Sequence, residues 1–546
     1  MSKIGHRVVR SIASIAGAAA LLSLVSLAGP LVAADPAAPT FDFLEQPQAH
    51  AETVGTPRDA VARAAELQAL QGRLAARQVR MALDRPLVLR LSPAERQRID
   101  DTRRVERKYL VGVAKPVGTA VDFAAARELG NRVAALTLGA ARGTGGGGFV
   151  WTAAVHVPGA TALRAQITGL DLPAGAELFV YNLAGQAFGP YTARGPFGDG
   201  VLHSHTVFGE RFFLQLHAPA GAERAPRLTL AEIGVMGSRF AAPRYGPRGV
   251  FDLDDVRALA DAASNLCSRN ADCVINAGCE SSPAVAVAED AVASILFQSG
   301  ASFFICSGGL VADTVTTSVI PYFLTANHCI GSGSEAASVE TYFDYATTCS
   351  NPNCTQPYNN AGETVGSTIK STSSTSDYSL LQLASTPTTP DGLATYLGWQ
   401  STAVANSNGT ALFRISHPSG SPQAYSEHVV DTSKPTCRTW PRGNWIYSRD
   451  TLGGTEGGSS GSPVVNGAGQ IVGQLSGACG TNVNDSCDAV NNATVDGAFA
   501  AYFNNVAPFL NPGAGGGCSP KGAACTSNSQ CCSNSCKGKP GAKVCK

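Results

Sequence analysis

The chain has 546 residues, too many for one domain and ample for a well-buried core. Its 41 basic and 41 acidic residues cancel, and 44% of the chain is hydrophobic, which excludes a disordered chain and one that binds nucleic acid by overall positive charge. Sixteen cysteines, none before Cys267, imply an oxidising destination and disulfides. The zero charge hides an asymmetry: residues 1–265 are net basic, 266–510 net acidic and 511–546 net basic. An acidic central part favours basic substrates or a basic partner segment over nucleic acid.

Lys3, Arg7 and Arg10 precede an apolar run from Ile12 to Val32 that ends in Ala33-Ala34. The run is long enough for a membrane anchor, but its small-residue end favours a cleaved signal peptide over residues 1–34, hence secretion to the extracellular space. Residues 35–110 read as helical, with a cap at Thr56, Pro57 in the first turn, and Leu67, Leu70 and Leu74 at helical spacing. From 111 to 240 the period changes. Runs such as Leu163–Ile167 and Glu177–Tyr181, separated by Gly and Pro, predict a β-sandwich. The glycine run 143–148 lacks the Lys-Ser/Thr of a phosphate loop and reads as a turn or linker. His203 and His205 share a strand face, but without further ligands nearby they read as an exposed polar face, with no metal site and no cofactor expected. Residues 241–266, charged and rich in small side chains, are the expected activation linker.

Residues 267–510 carry the chemistry. Ser460 lies in Gly457-Gly458-Ser459-Ser460-Gly461-Ser462-Pro463. A serine hydroxyl needs a base within reach and donors for the oxyanion its attack creates. The glycines allow a tight turn in which the amides of Gly458 and Ser460 converge as an oxyanion hole. His328, after the apolar run 319–324 and directly before Cys329, is the candidate base, and Asp377, just before the strand-like Tyr378–Leu383, the candidate acid. Asp344 and Asp431 are rivals for that role. A Gly/Ser run alone is more often a loop, and a lone histidine or aspartate more often a surface residue; the three together favour a triad.

The motifs resemble known proteases. Gly-x-Ser-Gly-x-Pro, centred on Ser460, is similar to the nucleophile loop of trypsin-like enzymes, and Thr325-Ala326-Asn327-His328-Cys329 resembles the histidine loop of the chymotrypsin fold, where the cysteine bonds to one on the preceding strand, here Cys306. The order His328, Asp377, Ser460 is that of the chymotrypsin type. Thr375-Ser376-Asp377-Tyr378, the run 453–463 and Val472-Gly473-Gln474-Leu475 resemble the bacterial lysyl endopeptidase family, secreted enzymes that cut after lysine. The resemblance implies an all-β chymotrypsin-type double β-barrel, protein or peptide substrates, and disulfides Cys279–Cys349 and Cys273–Cys479; it leaves Cys267, Cys354, Cys437 and Cys487 unassigned. The stretches 180–182 and 188–191 resemble the prosegments beside such proteases, so the N-terminal part is expected to act as the chain's own inhibitor or folding aid. At the S1 pocket the sequence departs from the family. Thr494 stands where the family has an aspartate, with Asp496 out of step, and Ser476 replaces a histidine beside the open Gly477. A buried lysine ammonium needs a carboxylate partner, so strict lysine specificity is not expected unless Asp496 or Asp488 turns inward. Ser459 occupies the position of the aspartate that pairs with the new N-terminus in mammalian trypsin-type zymogens, so that route of activation is not expected.

A glycine-rich linker over 511–517 leads to six cysteines in residues 518–546, too short a stretch for a core-driven fold. Spacing alone leaves their pairing open. The adjacent Cys531-Cys532 resembles inhibitor cystine knots, which implies Cys518–Cys532, Cys525–Cys536 and Cys531–Cys545. With Lys521, Lys537, Lys539, Lys543 and Lys546 this module suits an acidic surface target. Two classes follow: a secreted serine endopeptidase made as a precursor, or a non-catalytic binding protein on a protease scaffold.

Overall fold

The computed structural model describes residues 46–101, 108–240, 266–267, 269–315, 319–350, 354, 362–387, 389–437, 439–512, 525, 536–539 and 543–545. The expected signal peptide and nearly all of the expected activation linker therefore lie outside the described residues.

The helix over the N-terminal leucines is Ala60–Ala76. Its cap is Asp59, whose carboxylate accepts from Val61 N at 2.9 Å, and not Thr56. The reason lies upstream: Glu52–Gly55 is a strand paired with Leu393–Tyr396, so the chain is still extended as it reaches Thr56. Leu74 is buried and Leu70 packs beside it against Ala154, Phe179 and Tyr181. Residues 109–236 form the expected sandwich. One layer runs Ala187–Tyr191, Glu177–Tyr181, Arg211–Ala218, Gly148–His156, Ala140–Gly145 and Val133–Ala135; the other pairs Ala162–Asp171, Arg227–Met236 and Tyr109–Asp122. Trp151, Leu163, Ile167, Leu178, Leu214, Leu216, Leu230 and Ile233 fill the space between them, as alternation on facing sheets requires. The glycine run is a hairpin turn: Gly145 pairs with Gly148, and Gly146 and Gly147 have φ of +57° and +81°, values that favour glycine at both central positions.

Two closed antiparallel barrels follow. In the first, Val292–Ser299 lies between Glu340–Phe343 and Ser302–Leu310, and the sheet continues through Tyr322–Ala326 and Tyr378–Leu383 to Ser367–Ser373. Gly362–Val365, joined to Ser367–Ser373 by Gly366, returns to Glu340–Phe343 and closes the ring. In the second, Ala411–Ser416, Ala424–Val430, Trp445–Leu452, Asn492–Ala498, Ile471–Gly480 and Pro463–Asn466 pair in turn and return to Ala411–Ser416. This is the chymotrypsin-type double barrel. The helix Phe499–Leu510 buries Phe499, Tyr502, Phe503, Val506 and Leu510 in a core shared with Trp399 and Tyr378.

The sandwich and the first barrel share one sheet, because Tyr109–Asp122 pairs with Ser302–Leu310 at Tyr109 to Val113. Gln48–Ala49 adds a strand on Trp399–Gln400. Between these attachments lies a fully buried ion pair, Arg164 Nε to Glu340 at 3.6 Å. Glu340 also accepts from Thr206 N at 2.8 Å and Thr206 Oγ1 at 2.6 Å, and Arg164 Nη1 donates to Ser338 O at 2.7 Å. Burial pushes the Glu340 carboxyl up, against the pull of Arg164 and Thr206. The two histidines expected on an exposed face are not exposed. His203 is buried, and His205 stacks on Phe188 at 4.6 Å with its Nδ1 2.7 Å from Tyr191 Oη. Burial, with Arg164 nearby, pushes both imidazoles down to about 3.

Cys306–Cys329 and Cys279–Cys349 are bonded. The Cys273–Cys479 pairing is corrected. Cys479 ends the Ile471–Gly480 strand beside Cys437, Trp440 and Trp445 and bonds to Cys437, whereas Cys273 meets the following loop and bonds to Cys487. Cys267 bonds to Cys354. In the C-terminal module Cys525–Cys536 is present and Cys536 lies opposite Cys545 on a short ladder. Cys518, Cys531, Cys532 and the side chain of Cys545 lie outside what the structure describes.

Removing one partner of a buried ion pair leaves an uncompensated charge, so Arg164→Ala should destabilise the full-length chain by about 3–5 kcal/mol. Urea unfolding measures this; a change below about 1 kcal/mol would show that the pair does not hold the sandwich to the barrel.

Candidate active site

Strand register brings the first two residues together. Tyr322–Ala326 and Tyr378–Leu383 pair antiparallel with Ala326 opposite Tyr378, so His328, just past the end of one, meets Asp377, just before the start of the other. Asp377 Oδ2 lies 2.7 Å from His328 Nδ1, and Oδ1 accepts the His328 backbone N–H at 2.8 Å. Asp377 is 2% exposed and sits at φ +51°, a conformation uncommon for a non-glycine residue. Two residues hold it there. Asn327 N donates to its carbonyl at 3.0 Å, and Gln474 Nε2 donates to the carbonyls of Ser376 and Asp377 at 3.0 and 3.1 Å. Gln474 Oε1 in turn accepts from Tyr502 Oη, whose ring stacks on Tyr378 at 4.0 Å. His328 Nε2 is buried and makes no hydrogen bond among the described residues. Asp344 and Asp431 make none to His328: Asp344 follows Glu340–Phe343, and Asp431 holds Ser433 at the surface.

Ser460 is carried to the same place from the second barrel. Ser460 O accepts from Ser307 N at 2.8 Å. Gly461, at φ +82°, packs so closely that a Cβ would lie 2.2 Å from Thr325 Oγ1 and 2.7 Å from Ala326 N, which forces glycine two residues from the histidine loop. The neighbouring serines turn inward. Ser459 is fully buried and bonds Ser416 Oγ at 3.0 Å; Ser462 Oγ accepts from Arg414 Nη1 at 3.3 Å. Ser460 keeps slight exposure, at 6%. Cys306, His328 and Cys329 cluster closely enough to suggest a metal site, but the two sulfurs are joined in a disulfide and offer no thiolate.

The S1 candidates separate. Gly477 lies beside Trp440, and a Cβ there would lie 3.8 Å from Cη2 of the indole. Ser476 is buried. Asp496 does not turn toward a pocket: it is fully buried and paired with Arg414 at 2.7 Å inside the second barrel. Asp488 is spent on Asn482 and Asn491, which hold its carboxyl down at about 2. Thr494 instead leads to an acid that the sequence reading missed. Its Oγ1 donates to Asp450 Oδ1 at 2.6 Å, and His428 Nδ1 lies 2.8 Å from the same oxygen. Burial raises the Asp450 carboxyl, but the charge and hydrogen bond of His428 and the bond from Thr494 outweigh it and hold it below its ordinary value. Asp450, Asp485 and Asp488 line a cavity with Thr455, Ala478 and Thr494, and among the described residues no basic side chain lines it. Nothing in the local sequence marks Asp450, since its partners come from two other strands.

Comparison with known proteins gives a consistent family. Residues 263–492 match the family model described as lysyl endopeptidase, C-terminal domain, a match that ends short of Thr494. Over 221 residues the chain is 32% identical to a lysyl endopeptidase of Pseudomonas aeruginosa, covering 39% of this chain and 45% of that protein, so the chain spans a little under half the length of this relative. Among solved structures, a protease of M. tuberculosis in its active form aligns at 16% identity and TM-score 0.28, over 41% of this chain and 83% of that one. The serine endoprotease from Yersinia pestis aligns at 15% identity and TM-score 0.27, over 40% and 62%. The resemblance to the lysyl endopeptidase family is thus shown for the segment that holds His328, Asp377 and Ser460.

Asp344 behaves as a buried acid instead of a triad member. Burial, then repulsion by Asp391 and Asp290, pushes its carboxyl up to about 7. The folded chain therefore keeps a proton that the unfolded chain sheds, and stability present below pH 4 is lost as pH rises through about 7. Asp344→Asn, which tolerates the φ of +57°, should raise Tm at pH 8 and leave it nearly unchanged at pH 4. An equal shift at both pH values would mean that the charge of Asp344 is not the destabilising element.

Proposed function

We propose that this chain is a serine endopeptidase that cleaves peptide bonds through an acyl-enzyme, with Ser460 as nucleophile, His328 as base and Asp377 as the acid that orients it. The carrying observation is the double grip of Asp377 on His328. With Nδ1 committed to Asp377 Oδ2 at 2.7 Å, the neutral imidazole presents an unprotonated Nε2. Ser460 Oγ adds to the scissile carbonyl as Nε2 takes its proton, and the amides of Gly458 and Ser460 stabilise the resulting oxyanion. His328 returns the proton to the departing amine. Water, deprotonated by the same nitrogen, then releases the acyl group and regenerates Ser460. No cofactor is required.

The chain is read as a precursor of a secreted enzyme: signal peptide 1–34, prosegment 35–110 and 111–240, linker 241–266, protease 267–510, linker 511–517 and knot 518–546. The shared sheet and the buried Arg164–Glu340 pair support a prosegment that docks as an intramolecular inhibitor or folding aid. The disulfides fit an oxidising, extracellular destination. The basic C-terminal module fits an acidic surface target.

Asp450 favours the reading in which a basic side chain enters S1. The family's pocket aspartate is replaced by Thr494, but Thr494 is bonded to a carboxylate held ionised in an acidic cavity. Set one strand behind the family position, this acid serves the long cations of arginine and lysine alike, so specificity is basic without being strict for lysine.

Wild-type chain should be labelled at Ser460 by a serine-directed phosphonate, and Ser460→Ala or His328→Ala should lose about 10⁴-fold or more in kcat with folding and secretion intact. Absence of labelling on folded wild type would favour the non-catalytic scaffold. In a peptide-library profile, arginine and lysine should dominate P1, and Asp450→Asn should reduce kcat/KM for basic substrates by about 100-fold or more while sparing neutral ones. A neutral P1 preference in wild type would remove Asp450 from the pocket.

A further inference from the structure

An oxyanion hole works only if its peptide planes face the right way. The plane joining Gly457 to Gly458 carries the Gly457 carbonyl on one side and the Gly458 N–H on the other. In this fold the carbonyl is taken by Ser419 N at 2.7 Å, so the Gly458 N–H is turned away from the 418–421 turn. The next carbonyl, Gly458 O, accepts from Ser307 Oγ at 2.8 Å. Gly458 has φ +102°, and a Cβ there would lie 2.7 Å from His417 O, so only glycine fits so close to that turn.

Ser419 achieves its position at φ +53°, left-handed for a non-glycine residue, at a cost of roughly 1–2 kcal/mol. Something must hold it. Its Oγ donates to Glu456 Oε2 at 2.9 Å, and Glu456 is anchored in turn by Asn270 Nδ2 at 2.8 Å and Ala271 N at 2.7 Å. The same short segment grips the rest of the turn. Arg269 Nη2 donates to Gly420 O at 3.0 Å and its Nε to Ser421 Oγ at 3.1 Å, while Asn270 Nδ2 reaches Pro418 O at 3.1 Å. Disulfides Cys267–Cys354 and Cys273–Cys487 fix both ends of that segment. Ser459 is fully buried and bonds Ser416 Oγ and the Glu456 backbone, its N–H donating to Glu456 O at 3.0 Å and its Oγ accepting from Glu456 N at 3.4 Å, so it makes no bond to the Glu456 carboxylate.

We propose that Glu456 and Ser419 are positioning residues for the oxyanion hole, coupling the segment Arg269–Ala271 to the orientation of the Gly457–Gly458 peptide. The inference rests on the reading of Ser460 as nucleophile. Glu456 here does from a side chain what an N-terminal ion pair does in trypsin-type zymogens: it ties the first residues of the protease part to the loop that stabilises the oxyanion. The expected activation linker ends at residue 266, three residues before Arg269, where this segment begins.

The experiment compares wild type, Glu456→Ala and Ser419→Ala in the same processing state. The readouts are kcat, KM, and inhibition by two peptides carrying the P1 residue found in the library profile: an aldehyde, whose serine adduct places an oxygen in the hole, and a reduced-bond analogue with no oxygen to place there. Glu456→Ala should lower kcat about 10- to 100-fold, less than deletion of an oxyanion donor itself, and weaken the aldehyde by a similar factor. KM and the reduced analogue should stay within about threefold. Ser419→Ala should show the same pattern more mildly, and it carries the test if Glu456→Ala fails to fold. Unchanged kcat and aldehyde affinity in a folded variant would overturn the coupling, as would equal weakening of both inhibitors, which marks general loss of the site. Failure of wild type itself to react with the phosphonate would instead overturn the nucleophile assignment.

Discussion

The grip of Asp377 on His328 is the contact on which the site depends. Two acceptor atoms of one carboxylate take a ring nitrogen and a backbone amide of the same residue, so position and tautomer are fixed together. That arrangement requires Asp377 to stand at φ +51° in a buried corner, a conformation no isolated loop would keep. The second barrel and the last helix supply the restraint through Gln474 and Tyr502. Gly497 must be glycine for the same reason, since a Cβ there would lie 2.2 Å from Ser376 O. Asp377 of one barrel is thus seated by the other, and the double barrel is a mechanical requirement of the Asp377–His328 geometry.

Buried charge is distributed so that one carboxylate remains for the pocket. Arg414 is fully buried and pairs with Asp496 Oδ1 at 2.7 Å, while Asp496 Oδ2 is buried without a hydrogen-bond partner among the described residues. His428 stands between the two acids, 3.4 Å from Arg414 Nε and 2.8 Å from Asp450 Oδ1. A buried pair contributes little net stability compared with an apolar core, but losing one member is expensive. The chain therefore holds Asp496 as a structural charge and Asp450 as one that borders a cavity.

What could be read from sequence follows from how local each determinant is. The nucleophile loop, the histidine loop and the strand after Asp377 are each contiguous, and their register is fixed by glycines, a cysteine and an apolar run. The Cys306–Cys329 bond likewise joins one strand to the turn just past its neighbour, Tyr322–Ala326. Features set by distant chain escaped. Thr56 looks like a cap, but Glu52–Gly55 is drawn into a strand with Leu393–Tyr396, which moves the cap to Asp59. His203 and His205 alternate as on a surface strand, yet Tyr191, Phe188 and Arg164 cover them. Cys273 meets the loop bearing Cys487, and Cys479 meets Cys437, partners that the local sequence does not mark. Asp450, Glu456 and Ser419 carry no motif because their meaning comes wholly from partners elsewhere.

The attachments of the N-terminal part bear on control as well as on architecture. Strand pairing through Tyr109–Val113, strand addition at residues 48–55 and a buried ion pair distribute the contact over separated surfaces. Cutting the chain between 241 and 266 would remove none of these bonds, since all lie outside that stretch. It would remove only the covalent link, whose effect is on local concentration. Separating the N-terminal part would require exposing Glu340 and Arg164 to water together and opening the edge of Ser302–Leu310. The described chain resumes at Leu266 and Cys267 at the end of that stretch, and its next described residues, Arg269 to Ala271, hold the turn behind the 457–461 loop. The two attachments therefore reach different places: the segment Arg269–Ala271 holds the turn behind the 457–461 loop, and the Tyr109–Val113 pairing covers the barrel edge beside the strand that leads to His328.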